Sequence, residues 1–242
     1  MSPAQQIVFL HILKTAGQSV MQVLELNYRK EDRLFVNEDE LIRLSPGELQ
    51  KYKIIYGHNF FNIHQLLDEK PVYFTFLRDP IERTLSHYAY LRRAKYLPSV
   101  LSQTLEEFVS DSSTRPYIAN YQTRWLASMS LTEPANLNDA GVLELAKERL
   151  DGFAFVGIVE EFKLSVQTMA RIFDWKLPWV MPKVNVFSTE RLKREELSSS
   201  TLEVIQNANL LDIELYQHGR EVFESQYKQI LTSIPLWLRY RF

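Results

Sequence analysis

Apolar positions along this chain alternate between short unbroken runs and stretches of helical period. Ile7 to His11 is a run rich in branched residues, the pattern of a strand buried on both faces. A turn follows at Leu13-Lys14-Thr15-Ala16-Gly17, and then Val20, Val23, Leu24 and Asn27 recur at helical spacing. Residues 33–36 and 53–56 read as further short strands, with Ser45-Pro46-Gly47-Glu48 between them as a turn or helix start. The clearest strand is PVYFTFL (71–77), which ends at Arg78-Asp79-Pro80. Asp79 suits an N-cap, Pro80 the first helical position, and Glu82 follows Asp79 by three, so a helix is predicted from Pro80 to about Leu97. Helical period returns at 104–110 and 115–129. A polar connection spans 130–141, a helix 142–150, a strand 153–159 and a helix 161–174. Residues 175–200 read as loop-rich, and one long helix is predicted over 201–228.

Strands that alternate with helices predict a parallel sheet covered on both faces. The expected fold is α/β, one domain over residues 1–242 with a helical insertion at about 98–150. Bulk properties narrow the function. A chain of 242 residues with 45% hydrophobic and 24% charged content can bury a full core without disulfides or metals. The formal net charge of −2 supplies no overall basic field for nucleic acid, so any anion site must be local. The absence of cysteine excludes disulfides, cysteine zinc sites and thiol nucleophiles, and fits a reducing compartment. The N-terminal residues read as the start of a core strand, and no stretch reaches the ~18 apolar residues of a membrane span. The expectation is a cytoplasmic chain, or one from which a targeting segment has been removed.

HILKTAGQS lies where a strand hands over to a helix, the ligand edge of open α/β sheets. A small-residue loop there can turn backbone N–H groups toward an anion, and the helix N-terminus adds positive potential. Lys14 brings a full charge, Thr15 and Ser19 bring hydroxyls, and Gly17 permits close approach of the backbone. A Walker A loop places lysine after a glycine at fixed spacing, and here lysine comes first, which argues against a standard ATP or GTP site. The alternative is an ordinary turn with an exposed lysine. Arg78 ends another strand and opens onto the same edge, with Ser86 two turns into the next helix; each alone also fits an ion pair or a solvated position.

Taken together, FLHILKTAGQS, YGH and YFTFLRDPIERTLSHYAYLRR resemble the sulfotransferase family that includes the heparan sulfate 2-O-sulfotransferases. FVGIVEEF (155–162) and NANLLDIELYQHGREVF (207–223) also look like that family, and NYQTRWLA (120–127) is similar to a segment of its bacterial relatives. The resemblance implies a P-loop-like fold and the donor PAPS (3′-phosphoadenosine-5′-phosphosulfate), with PAP as product. Lys14, Thr15, Ala16, Gly17, Gln18 and Ser19 correspond to a 5′-phosphosulfate loop, and Arg78 and Ser86 to a 3′-phosphate site. Leu13 stands where proline is usual, and Tyr56-Gly57-His58 carries one histidine where some members carry two.

Sulfuryl transfer would then proceed by in-line displacement to a hydroxyl acceptor, with Lys14 stabilising the leaving phosphate and no metal required. Histidine suits the base. His58 follows the strand IIYG at the ligand edge and matches the family's position, and His11 is its rival. The basic loop 182–195 (Lys183, Arg191, Lys193, Arg194) is expected by analogy to fold over the nucleotide or to be a solvated loop. Arg92, Arg93 and Lys95 read as a solvated helix face. The acceptor expected first is a saccharide hydroxyl, and second a lipid or small-molecule hydroxyl. A small-molecule kinase and a non-catalytic nucleotide-binding module are the alternatives.

Overall fold

The computed structural model describes residues 5–41, 43–58, 61–95, 98–127, 139–180 and 192–233. Its centre is a sheet of five parallel strands: β1 (Ile7–Leu10), β2 (Arg33–Phe35), β3 (Ile54–Gly57), β4 (Val72–Leu77) and β5 (Phe155–Ile158). They lie in the order β2-β3-β1-β4-β5. Val8, Phe9 and Leu10 are wholly buried, as expected of a central strand covered on both faces. In register, Leu10 stands opposite Gly57 on one side and Thr75 on the other. The Thr75 hydroxyl donates to the Leu10 carbonyl at 2.7 Å, which ties the ends of β1 and β4 together.

The chain leaves β1 toward β2 and β3 on one side, then crosses to β4 and β5 on the other. The carboxyl ends of β1 and β4 therefore flank the switch point, where open α/β sheets form their ligand crevice. After β1 comes α1 (Gly17–Asn27). The short helices α2 (Glu38–Leu41) and α3 (Pro46–Leu49) follow β2, and α4 (Pro80–Ala94) follows β4. Asp79 caps α4 through its side chain, which accepts from the Glu82 N–H at 3.0 Å, and Pro80 opens the helix, as the sequence predicts. The helix ends at Ala94, with Lys95 at φ 54 as its left-handed cap.

The segment after α4 holds α5 (Leu105–Ser110), α6 (Tyr121–Ala127) and α7 (Asp139–Asp151), which agrees with a helical insertion before β5. The single helix expected over 115–129 is instead a 3-10 turn at Arg115–Tyr117 followed by α6, because Asn120 turns the chain at φ 46. After β5 come α8 (Phe162–Ile172), α9 (Ser199–Ala208) and α10 (Leu210–Ser233). The last two were expected as one helix. They divide at Asn209, a fully buried residue whose side-chain amide donates back to the Ile205 carbonyl at 2.9 Å. One hydrophobic cluster surrounds the sheet, and a second, with Leu85, Phe108 and Ile205 at its heart, joins α4, α5 and α9. Among the described residues no helix is long and apolar enough to cross a membrane. The loop 182–191 and the aromatic C-terminus lie outside the described residues.

Candidate active site

The loop from β1 to α1 is built from two left-handed residues, Lys14 at φ 71 and Ala16 at φ 62. Each costs about 1–3 kcal/mol for a residue with a side chain and persists only where the surroundings impose it. Here the Thr15 hydroxyl imposes it, by donating to the Ile12 carbonyl at 2.8 Å. Thr15 is fully buried, so its hydroxyl braces the loop from within. Ala16 is the N-cap of α1, no side chain caps that helix, and its first turn holds no acidic residue. The N-terminal N–H groups and the positive end of the helix dipole thus face the loop without a built-in anion. Gln18 is exposed, Ser19 is buried, and the Lys14 ammonium stands 4.3 Å above the centre of the Tyr90 ring on α4.

Gly17 is required by a close approach. A Cβ there would fall 1.8 Å from Nε2 of His11, whose ring packs directly against the helix start. His11 is buried, its Nδ1 has no hydrogen-bond partner, and its pKa lies well below the ordinary 6.5, through burial first and then the nearby His58 and Lys14. The ring of His58 lies 4.5 Å from that of His11, tilted by 30°. The two rival bases are therefore neighbours. Their environments separate them: His58 is half-buried and His11 is not accessible to the same degree. Gly57, at φ 138, lets the chain leave β3 where a Cβ would meet the Val36 carbonyl oxygen at 2.2 Å, and this exit brings His58 back over β1.

The hydrogen bond of His58 decides its tautomer. Nδ1 lies 3.2 Å from the His11 carbonyl oxygen. A carbonyl oxygen only accepts, so Nδ1 carries the proton and Nε2 presents a lone pair. Burial lowers the His58 pKa, and its bond to the His11 carbonyl partly offsets that effect. The indole of Trp125 on α6 meets the His58 ring edge-to-face at 6.3 Å. Tyr56 points elsewhere and packs against Phe35. His87 is packed beside Phe108 and Tyr117, and burial, then Arg83 and Lys14, push its pKa down to about 3. His64 approaches the Tyr73 hydroxyl and His218 the Asp151 carboxylate, both by their ring nitrogens.

Arg78 follows β4 and is almost fully buried. Its Nη1 donates to the Lys14 carbonyl at 3.2 Å, so the guanidinium bridges the two loops of the switch point. Two carboxylates flank it at the limit of ion pairing, Glu82 at 3.9 Å and Glu160 at 4.0 Å. The backbone around Arg78 is held by Gln122: the Arg78 N–H donates to Oε1 at 3.0 Å and Nε2 donates to the Arg78 carbonyl at 2.8 Å. Ser86 is half-buried on α4, one turn before Tyr90 and one turn after Glu82, so these three share the face that meets Lys14. Arg194, at the end of the basic loop, reaches Asp79 at 3.4 Å, whereas Pro182 to Arg191 lie outside the described residues. Arg92 donates to the Tyr88 hydroxyl at 2.7 Å along its own helix. Among the described residues no group of three or more His, Asp or Glu could hold a metal ion.

The candidate residues thus gather on one edge of the sheet, in two parts joined by Arg78, with a histidine pair alongside. Sequence reasoning did not single out Tyr90, Gln122, Trp125 or Glu160. Tyr90 was findable as the residue four beyond Ser86. Gln122, Trp125 and Glu160 lie in NYQTRWLA and FVGIVEEF, stretches that stood out by resemblance without an assigned role.

Heparan-sulfate 6-O-sulfotransferase 1 of Homo sapiens is 28% identical over 188 residues, covering 64% of this chain and 44% of that protein. Heparan-sulfate 6-O-sulfotransferase 1-B of Danio rerio is 27% identical over 287 residues, covering 92% of this chain and 67% of that one. The chain spans less than half the length of the human relative. These relatives carry the 6-O designation, which corrects the 2-O comparison drawn from the motifs. The crystal structure of mouse sulfotransferase SULT7A1 complexed with PAP superposes with a TM-score of 0.50 at 12% identity, covering 96% of this chain and 90% of that one, a likeness of fold. The profile of the sulfotransferase family matches residues 1–219, nearly the whole sheet-and-helix unit that carries the two loops and the histidines, and the chain belongs to that family.

Proposed function

We propose that this chain transfers a sulfuryl group from PAPS to a hydroxyl of a carbohydrate. The observation that carries this reading is the continuous contact from His58 through the His11 ring to Gly17. It sets a histidine whose Nε2 keeps the lone pair one ring away from an uncapped, acid-free helix start, so that a base and an anion site share one edge of the sheet.

The residues fit the donor. The N–H groups at the start of α1 and the Lys14 ammonium would hold the 5′-phosphosulfate, and Arg78 with Ser86 the 3′-phosphate. Nε2 of His58 takes the proton from the acceptor hydroxyl as its oxygen bonds to sulfur. The bond from sulfur to the 5′-phosphate oxygen breaks, and Lys14 stabilises the charge that grows on that oxygen. The saccharide acceptor is supported by relatives named for heparan sulfate, and a 6-hydroxyl is the first position to examine.

Thermal melting tests the nucleotide half. PAP at about 100 times its Kd should stabilise the fold by roughly 2.7 kcal/mol, about 5–10 °C for a domain of this size, and ATP with Mg²⁺ far less. Equal stabilisation by the two would favour the kinase alternative. Labelled PAPS with de-6-O-sulfated heparan oligosaccharides tests the acceptor half, against lipid and small-molecule hydroxyls.

A further inference from the structure

Arg78 is the one candidate ligand whose setting is built almost wholly by distant residues, and the C-terminal helix α10 supplies that setting by two routes. The first runs through α6. Asp212, fully buried in the first turn of α10, accepts from the N–H of Gln122 at 3.1 Å, and from the N–H and hydroxyl of Thr123 at 2.7 and 2.8 Å. In return Asn120 accepts from the N–H groups of Leu211 and Asp212 at 3.0 and 3.3 Å. The starts of α6 and α10 therefore cap each other. The fully buried Arg83 secures the approach to α6, donating to the carbonyls of Tyr117 and Ile118 and lying 4.8 Å over the Tyr121 ring. Gln122, fixed in this way, grips both the N–H and the carbonyl of Arg78.

The second route starts one turn along α10, on the same face. The Tyr216 hydroxyl donates to Glu160 at 2.8 Å. The other oxygen of Glu160 accepts from the Asp79 N–H at 3.2 Å and stands 4.0 Å from the Arg78 Nε. Backbone and guanidinium are thus both referred to α10.

We propose that Gln122 and Asp212 are positioning residues for Arg78, and that with Tyr216 and Glu160 they set how strongly the site distinguishes a nucleotide that carries a 3′-phosphate. This rests on the sulfotransferase reading, because it takes Arg78 to meet that phosphate. A side-chain amide that makes two bonds to one residue's backbone leaves that residue little freedom. An arginine displaced by even a fraction of its hydrogen-bond reach loses angle before it loses charge.

The test is the ratio of affinities for PAP and for adenosine 5′-monophosphate, measured by calorimetry on the whole chain. Gln122→Met keeps the volume and removes both bonds; it should cut the ratio by roughly tenfold while the monophosphate affinity stays within about twofold. Asp212→Asn, which retains one acceptor, should fall between it and the wild type. Tyr216→Phe removes only a hydroxyl, should fold, and should cut the ratio by about threefold through the second route; it decides the matter should Gln122→Met not fold. A wild-type ratio in folded variants, or equal weakening of both nucleotides, overturns the positioning role alone. A wild-type chain with no preference for PAP overturns the sulfotransferase reading and this proposal with it.

Discussion

The β1–α1 loop and the β4–α4 junction both face the switch point, yet they are held in opposite ways. The loop is held mainly from within. Its conformation comes chiefly from residues within a few positions of one another, with Thr15 bonded to Ile12, Ala16 left-handed at the N-cap position of α1 and Gly17 making room for His11, and Arg78 adds one distant bond to the Lys14 carbonyl. The junction is supported from afar. Arg78 is gripped by Gln122, 44 positions away, which is fixed in turn by Asp212, a further 90 positions on. Local construction suits a loop that must present backbone N–H groups to solvent. Remote construction suits a buried guanidinium, because removing one partner of a buried charge costs about 3–5 kcal/mol, so several elements must agree on its place.

The largest effect should fall on the histidine between these regions. His58→Ala should lower kcat by about 10²–10⁴-fold and leave PAP binding intact, as measured by steady-state turnover beside calorimetry. Burial lowers the His58 pKa, so the acidic limb of the wild-type profile should have its midpoint below 6.5. If His11→Ala folds and loses all turnover while His58→Ala keeps more than about a tenth of wild-type activity, the two roles are reversed.

Within the locally held loop, Lys14→Ala should reduce kcat by about 10²–10³-fold, with a smaller change in PAPS affinity, since the charge it meets grows toward the transition state. A raised KM with kcat intact would reduce Lys14 to an anchor, and the loop to a binding element.

At the remote junction, Arg78→Ala should weaken PAP about 10- to 100-fold, the worth of a charge-assisted hydrogen bond, and leave adenosine 5′-monophosphate nearly unchanged. Equal weakening of the two would make the arginine a structural strut between the Lys14 carbonyl and the flanking carboxylates.

A smaller effect separates local from remote support directly. Gly17→Ala drives a methyl into the His11 ring and should cost about 1–3 kcal/mol, a fall in Tm of roughly 2–12 °C. Pairing it with His11→Ala should recover part of that loss, a coupling that a change at the remote junction would not show. Stability should also depend on pH through His11. Its folded pKa lies below the unfolded value of 6.5, so the unfolded chain binds the extra proton; stability is full above about 6.5 and declines as pH falls below it. His58 and His87 shift in the same direction, so melts from pH 8 to pH 5 of the wild type and of His11→Ala isolate the His11 share, and an unchanged slope in His11→Ala would mean that His11 charges freely in the fold.

How much of this was legible in the residues follows from the same division. Periodicity and caps foretold the five strands, the parallel α/β plan, the start of α4 at Asp79-Pro80 and the loop at Lys14, because those features depend on neighbours in sequence. The same reasoning ran helices through Asn120 and Asn209. Both residues carry tertiary duties there: Asn120 caps α10, and Asn209 is buried between two helices. Period alone cannot register a side chain whose partner lies some 90 residues away. Likewise the sequence supplied two candidate histidines without ranking them by contact. Only the crossing of β3 beside β1 puts His58 on the His11 carbonyl, and that one hydrogen bond chooses the nitrogen left for chemistry. What the chain determined by itself is the set of groups and the sheet edge that gathers them. What the tertiary structure decided is their protonation and aim, since burial and hydrogen-bond partners are properties of the packed whole.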